Sequence, residues 1–308
     1  MESLRIVDSH VHFAGPELSN PWADGDLNPD CAEAHPGTAV HVDRTKDGQL
    51  MESSLVRDVE EGGFNVEKLV YVECFNGTPL EEARWALKMA SNDASKIESV
   101  VLHIPVPQGG EAVREFLSQL RTGPSTSALP KQLRGGRVVL LGCPMPPADA
   151  CNSVQYLAGL AALEEHGLHW EWCCHHTALP FVAKVCRDFS KMTFVLDHLG
   201  RNGGNEDDVE QWKKNLSALA EHQNVVAKIG AIEEWGVADP NPLLDHAVAC
   251  FGFQRLIFES NWFVSKACGY SYKTLVQTSY DAVVRNGGSE EDVKDVFSRN
   301  AERVYRLL

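Results

Sequence analysis

The chain has 308 residues, of which 44% are hydrophobic and 23% charged, a balance typical of globular proteins. Its formal net charge of −15 disfavours binding to nucleic-acid phosphates or to anionic membrane surfaces. No apolar run approaches the roughly 18 residues of a membrane span, and the first residues do not resemble a secretory signal. We therefore predict a cytoplasmic protein, monomeric or homodimeric, that acts on a small molecule and has no nucleic-acid or membrane partner.

Apolar segments of strand length alternate with amphipathic segments along the whole chain. Continuous Val/Leu runs such as 138–141 are typical of strands buried on both faces. The predicted strands are 4–9, 68–74, 99–105, 137–142, 168–174, 192–196, 225–230 and 255–260. The predicted helices include 80–91, 153–165, 209–222, 243–251 and 271–285.

Eight alternating units predict an α/β fold, a (β/α)8 TIM barrel built as one domain over residues 1–308. An open doubly wound sheet would alternate in the same way, but no dinucleotide-binding fingerprint follows the first strand. Segment 13–50 predicts a long loop after the first strand, either a cover for a site or an insertion without function. The tail after Ser289 predicts extra C-terminal helices.

Cysteine usage gives no sign of a disulfide framework. The nine cysteines form an odd set without a CxxC pair, and none lies in an activating motif. Reduced, mostly buried thiols in a cytosolic protein explain this composition better than a catalytic thiol does.

The first strand ends in Val7-Asp8-Ser9-His10-Val11-His12, which places two histidines two residues apart. Side chains alternate across a strand, so we expect His10 and His12 to face the barrel mouth together. TIM-barrel active sites lie at the carboxyl ends of the strands, and two imidazoles there can share a metal ion or bind an anion.

Other strand ends also carry polar side chains. His176 follows the fifth strand, and Asp197-His198 and Arg201 follow the sixth. We expect both histidines at the rim of the site, although His198 could instead be a buried histidine satisfied by backbone groups. Asp197 is expected to face the helix layer or to orient a histidine.

The second, seventh and eighth strands add further candidates. Lysine is rarely buried without a partner, so Lys228 is expected either to bind a substrate carboxylate or to complete an ion pair. Glu73 is expected to face the same cavity. By alternation Glu259 and Asn261 share one face of the eighth strand, followed by Trp262.

Taken together, these motifs resemble the amidohydrolase superfamily, and most closely its branch of sugar lactonases and 2-pyrone-4,6-dicarboxylate lactonases, described as metal-dependent TIM-barrel hydrolases. The resemblance spans nearly the whole chain. It is carried by the motifs Val-Asp-Ser-His10-Val-His12, Tyr71-Val-Glu73-Cys, His176-Thr-Ala-Leu-Pro180, Leu196-Asp-His198-Leu-Gly, Ala227-Lys228-Ile-Gly, Phe258-Glu-Ser-Asn261-Trp and Asn300-Ala-Glu-Arg-Val-Tyr.

The resemblance implies that His10, His12, His176 and His198 line the site. It also implies that position 261 is the family's usual general base, which is normally aspartate. An amide cannot accept a proton at neutral pH, so Asn261 cannot be that base. Either the base has moved to Glu259 on the same face, which we favour, or the chemistry needs no such base.

The resemblance implies hydrolysis of a lactone or similar cyclic ester of a small polar or anionic substrate. Catalytic roles are expected for His176, His198, Glu259 and Asn261, and substrate-binding roles for Glu73, Arg201, Lys228 and Trp262. One divalent ion, zinc or manganese, at His10 and His12 is an option. The fourth strand has no lysine or glutamate ligand, which argues against a binuclear centre. The alternatives are a metal-dependent decarboxylase or hydratase and an inactive ligand-binding barrel.

Overall fold

The computed structural model describes residues 4–15, 17–20, 50–121, 128–141, 145–201 and 208–307. Eight strands in this part of the chain form one sheet in the order β1 to β8, and every neighbouring pair is parallel. The strands are β1 (Arg5–Val11), β2 (Asn65–Val72), β3 (Ile97–His103), β4 (Leu133–Leu140), β5 (His169–Cys174), β6 (Phe194–Leu196), β7 (Val225–Ile229) and β8 (Leu256–Phe258).

The sheet closes where β8 meets β1. A parallel bridge joins Val11 to Trp262, and the Ser9 hydroxyl donates to the main-chain oxygen of Phe258 at 2.7 Å. The predicted (β/α)8 TIM barrel is thereby confirmed, and the open doubly wound alternative is wrong.

Helices alternate with the strands and pack around them. They are α1 (Glu52–Glu61), α2 (Pro79–Ala90), α3 (Gly110–Ser118), α4 (Val154–Glu165), α5 (Leu179–Asp188), α6 (Val209–Ala220), α7 (Asn241–Phe251), α8 (Val264–Ala267), α9 (Tyr272–Arg285), α10 (Glu290–Lys294) and α11 (Asn300–Tyr305). The local sequence determines where several helices begin. Helix α2 has a capping box from Thr78 and Glu81, with Pro79 in its first turn. Ser153 caps α4 in a similar way.

Alternation along the strands separates two cores. On β5, Trp170 and Trp172 face outward and pack against Tyr156 of α4 at ring-centroid distances of 5.9 and 5.8 Å. Glu171 between them therefore faces the barrel interior. The apolar residues of the interior form a small separate core, here called the apolar floor: Val7, Val70, Val72, Val101, Val195, Val226, Ile257, Ala301 and Tyr305.

The predicted C-terminal helices are confirmed, and the last of them contributes Ala301 and Tyr305 to the apolar floor. The predicted long segment 13–50 follows β1 in sequence, but its residues 21–49 lie outside the described ones, so its covering role stays a prediction. None of the described helices combines the length and the hydropathy of a membrane span.

Candidate functional site

The carboxyl end of β1 places two histidines inside the barrel. The pairing of β1 with β2 shifts register between Asp8 and Val11, and His10 and His12 then lie with their Nε2 atoms 3.1 Å apart. His12 Nδ1 lies 2.8 Å from the main-chain oxygen of Val72 and donates to it, which leaves Nε2 as the lone-pair nitrogen. Burial, reinforced by nearby cations, holds the pKa of both histidines well below the ordinary range, so both are neutral.

Glu259 and His198 form a hydrogen-bonded pair next to His10. Glu259 is fully buried, and its Oε1 accepts hydrogen bonds from His198 Nδ1 at 2.9 Å and from the His198 main-chain N–H at 3.1 Å. Burial raises the pKa of Glu259. Burial alone would lower the pKa of His198, but the Glu259 carboxylate outweighs it and raises the pKa above its ordinary value. The pair therefore retains a proton to higher pH than an isolated histidine does.

Gly230, directly after β7, packs closely against Glu259 and so constrains the position of its carboxylate. A Cβ atom on Gly230 would lie 2.2 Å from the main-chain oxygen of Glu259 and 2.7 Å from its Cγ. A residue with a side chain at position 230 would therefore displace Glu259, and glycine is needed there for close approach rather than for a turn.

Arg137 on β4 reaches across the interior. Its Nε donates to Glu73 Oε1 at 2.9 Å, its Nη1 donates to Asp197 Oδ2 at 2.9 Å, and Nη1 also lies 3.2 Å from His10 Nε2. Its Nη2 donates to the main-chain oxygen of Glu73 at 2.8 Å. Arg137 is 2% exposed, so this guanidinium is a structural cation inside the barrel.

Lys228 on β7 is a second interior cation. Its ammonium lies 2.6 Å from Glu171 Oε2, 2.9 Å from Asp197 Oδ1 and 3.0 Å from His10 Nδ1. Burial alone would lower the pKa of Lys228, but the two carboxylates outweigh it and raise the pKa. Asp197 is held ionised in turn, because the neighbouring cations outweigh its burial and lower its pKa. We call these residues together the inner ionic cluster: His10, Glu73, Arg137, Glu171, Asp197, Lys228 and Glu259.

A rim of four side chains lies at the mouth of this cluster: His198, Arg201, Glu234 and Asn261, which we call the site rim. Asn261 Nδ2 donates to Glu234 Oε1 at 2.8 Å, and Arg201 Nη2 donates to the main-chain oxygen of Glu234 at 3.1 Å. His198 is 8% exposed whereas His10 and Glu259 are 0% exposed, so His198 is the member of the histidine–carboxylate group that reaches the surface of the site.

Backbone conformation at the strand ends is unusual. Several residues without glycine's freedom have positive φ, among them His198 at 51°, Ala231 at 55° and Asn261 at 49°. Such conformations cost free energy and persist where the surrounding structure holds them, often at functional sites. They also end the strand-like alternation, so the positions of His198 and Asn261 depend on these local bends.

Two predicted site residues lie apart from the inner ionic cluster. The ring of His176 contacts His175 and Asn215, and burial lowers its pKa to about 4. The indole N–H of Trp262 donates to Asp58 at 2.8 Å on α1, outside the barrel interior. Their proposed catalytic and substrate-binding roles stay predictions.

Comparison with known proteins identifies the group to which this arrangement belongs. The family profile described as amidohydrolase matches residues 7–307. The chain belongs to the amidohydrolase family. It is an enzyme of that superfamily, as the resemblance implied.

The relatives of this amidohydrolase are distant. It is 25% identical over 302 residues to a Burkholderia multivorans protein named L-fucono-1,5-lactonase, covering 92% of this chain and 87% of the relative. A crystal structure of a Burkholderia multivorans amidohydrolase with bound zinc superposes with a TM-score of 0.74 at 22% identity, covering 98% and 99% of the two chains. A probable 2-pyrone-4,6-dicarboxylic acid hydrolase from Acinetobacter baumannii, solved with citric acid, superposes with a TM-score of 0.69 at 14% identity, covering 98% and 99%. The likeness to these two structures shows a common fold.

This amidohydrolase has a possible metal site. Two groups of three side chains have ligand atoms within 4.8 Å of one another, namely His10 with His198 and Glu259, and His10 with Glu171 and Asp197. The first group fits a divalent ion, because it offers two imidazoles and a carboxylate, and Glu259 Oε2 lies 3.1 Å from His10 Nδ1. His10 belongs to both groups and His12 belongs to neither, and the metal-binding roles expected for these two histidines stay predictions.

Sequence reasoning missed three members of the site and left two alternatives open for a fourth. Arg137, Glu171 and Glu234 were not identified as candidates, and Asp197 was expected to face the helix layer or to orient a histidine. The structure supports the second expectation, since Asp197 Oδ1 lies 3.7 Å from His10 Nδ1. A usable signal existed for Glu171, because a carboxylate between two tryptophans on a buried strand has only the interior to face.

Proposed function

We propose that this amidohydrolase hydrolyses a lactone, or a similar cyclic ester, of a small polar or anionic substrate. The observation that carries the proposal is the His198–Glu259 pair, in which a buried carboxylate binds Nδ1 of the histidine that reaches the surface of the site. The relative named as a lactonase supports the substrate class.

Glu259 sets the tautomer and orientation of His198. Because Nδ1 donates to Glu259, Nε2 is the nitrogen left for proton transfer. Neutral His198 takes a proton from water as the water oxygen attacks the ester carbonyl, and the Glu259 carboxylate stabilises the imidazolium that forms. The imidazolium returns this proton to the ring oxygen as the C–O bond breaks, which releases a hydroxy acid. Glu259 acts through His198 in this scheme.

The site rim determines what the substrate can be. Arg201 is the cation at the rim, and its guanidinium suits a substrate carboxylate or the oxyanion that develops on the carbonyl. Glu234 and Asn261 next to it suit hydroxyl groups. All four rim residues are at most 8% exposed, which favours a small substrate.

A single divalent ion, zinc or manganese, would be held by His10, His198 and Glu259. When bound, it would act as a Lewis acid that polarises the substrate carbonyl. The proton transfers assigned to His198 belong to the protein without this ion, because a neutral imidazole that ligates a metal has no lone pair left to accept a proton. The binding assigned to Arg201 does not depend on the ion.

The test is a rate measurement on a panel of sugar-acid lactones and a pyrone dicarboxylate, with wild type, His198→Asn and a control, His166→Asn at the end of α4. We expect turnover of at least one lactone, a loss of about 10²–10⁴ in kcat for His198→Asn, and no change for His166→Asn. Decarboxylation of a hydroxybenzoate without lactone turnover would favour the decarboxylase alternative. Lactone binding without turnover would favour an inactive barrel.

A further inference from the structure

The ammonium group of Lys228 lies inside a ring of metal-ligating atoms. Its three neighbours are His10 Nδ1, Glu171 Oε2 and Asp197 Oδ1, at 3.0, 2.6 and 2.9 Å. The same three residues form the second group whose spacing could hold a metal ion. The positive charge at this position therefore comes from the chain itself.

The size of the ring matches an ammonium group rather than a metal ion. Hydrogen bonds from lysine to oxygen and nitrogen span about 2.6–3.0 Å, whereas zinc binds the same atoms at about 2.0–2.2 Å. Lys228 is completely buried, so solvent does not compete for its ammonium. A metal ion could enter this ring only if the ammonium left and the three ligands moved inward.

Arg137 occupies the remaining atoms of two of these ligands. Its Nη1 binds the second oxygen of Asp197 at 2.9 Å and lies 3.2 Å from the second nitrogen of His10. Two buried cations therefore surround Asp197 and His10. Without the Lys228 charge, the buried carboxylates of Glu171 and Asp197 would outnumber the cations that pair with them. A divalent cation is the simplest replacement for the ammonium group.

We propose that Lys228 masks a second divalent-metal position, formed by His10, Glu171 and Asp197, which shares His10 with the group of His10, His198 and Glu259 and is therefore an alternative to it. The wild-type chain then binds at most one ion. The lysine holds His10 and Asp197 in place as a second ion would, and it acts as a positioning residue without contacting substrate. None of the three residues of the masked position lies on the fourth strand, whose lack of a lysine or glutamate ligand argued against a binuclear centre in the sequence.

The experiment counts metal ions in purified protein. Wild type, Lys228→Met and the control Lys266→Met, an exposed lysine on α8, are stripped with a chelator, equilibrated with Zn²⁺ and analysed for bound zinc. We expect at most one equivalent in all three proteins, because both groups use His10 Nδ1, which lies 3.1 Å from Glu259 Oε2 and 3.0 Å from Lys228 Nζ. Glu259→Gln removes the carboxylate of the first group, so Glu259→Gln alone should bind no zinc, whereas Glu259→Gln/Lys228→Met should bind one equivalent. Adding Glu171→Gln to that double variant should remove the equivalent. Co²⁺ titration should give the same counts by visible absorption.

Two results would overturn the proposal: bound zinc in Glu259→Gln with Lys228 in place, or no bound zinc in folded Glu259→Gln/Lys228→Met. Since Lys228→Met leaves buried carboxylates unpaired, its fold is checked by circular dichroism with and without Zn²⁺. If it does not fold, Lys228→Gln, which keeps a hydrogen-bond donor without the charge, provides the count. Zn²⁺ should raise the melting temperature of the folded variant more than that of wild type, and an equal rise would also contradict the masking role.

Discussion

The barrel interior contains two layers of opposite character, built by the same strands. The apolar floor consists of valines, an isoleucine, Ala301 and Tyr305, whereas the inner ionic cluster consists of buried charged side chains and His10. Three strands supply one side chain to each layer, two positions apart: Val195 and Asp197, Val226 and Lys228, Ile257 and Glu259.

The difference between the layers separates stability from function. Burying the apolar floor lowers the free energy of the folded state by the ordinary hydrophobic effect. Burying the ionic cluster removes charges from water, and pairing offsets this cost only if every partner is present. A protein selected for stability alone would not need the second layer, so we expect mutations there to change activity and mutations in the floor to change stability.

The largest effect is expected at Glu259. Glu259→Gln keeps the shape of the side chain but removes the charge that orients and stabilises His198, so kcat should fall by about 10²–10⁴ while the fold persists. Steady-state rates together with the melting temperature check this. Glu60→Gln, an exposed position on α1, serves as the control. A Glu259→Gln enzyme with wild-type turnover would remove Glu259 from the mechanism.

The converse effect is expected in the apolar floor. Ile257→Ala leaves a cavity two residues below Glu259 and should reduce the free energy of unfolding by about 2–5 kcal/mol. At temperatures well below its melting transition, kcat should stay near that of wild type. Denaturant unfolding and rate measurements on the same preparation check both parts. A loss in kcat comparable to that of Glu259→Gln would mean that the two layers are not separable.

The fold was predictable because its signal is repeated. Eight apolar segments of strand length, such as 192–196 and 225–230, are separated by helix-like segments, so the fold class does not depend on the details of any one strand. Boundaries were less certain: β2 begins at Asn65 rather than 68, because the polar residues Asn65, Glu67 and Lys68 around Val66 conceal its start. Helix α3 was not identified, and it has only nine residues.

The relative positions of site residues were predictable only where both residues lie on one strand. The proximity of His10 and His12 follows from their spacing on β1. The position of Arg137 depends instead on the pairing of β4 with β5, which sets it beside Glu171, and on the reach of a long side chain across the barrel. Neither property can be read from a single segment. His198 reaches Glu259 through a left-handed backbone turn, which alternation does not predict.

A smaller effect is expected in the dependence on pH. Because the pKa of His198 is raised by Glu259, activity should rise with pH through a midpoint above the ordinary histidine value of about 6.5. The stability conferred by protonated His198 is fully present below that ordinary value and is lost as pH rises through the folded-state pKa. Rate profiles and melting temperatures from pH 5.5 to 9 should therefore change in opposite directions. In Glu259→Gln the midpoint of the residual activity should move to lower pH, and an unmoved midpoint would assign the titration to another group.

The smallest effect is expected at Asn261, the position at which the resemblance implies aspartate. Asn261 Nδ2 donates to Glu234 Oε1 at 2.8 Å, so Asn261→Asp would place two carboxylates in contact and replace a hydrogen bond by repulsion. We expect a lower melting temperature and a loss in kcat of less than about tenfold, since one of the two carboxyls can take up a proton and restore the hydrogen bond. The double variant Asn261→Asp/Glu234→Gln, which reverses the polarity of the pair, should recover the melting temperature. A rise in kcat for Asn261→Asp would show instead that position 261 can still act as the base, and that Glu259 is only a structural partner of the cations beneath it.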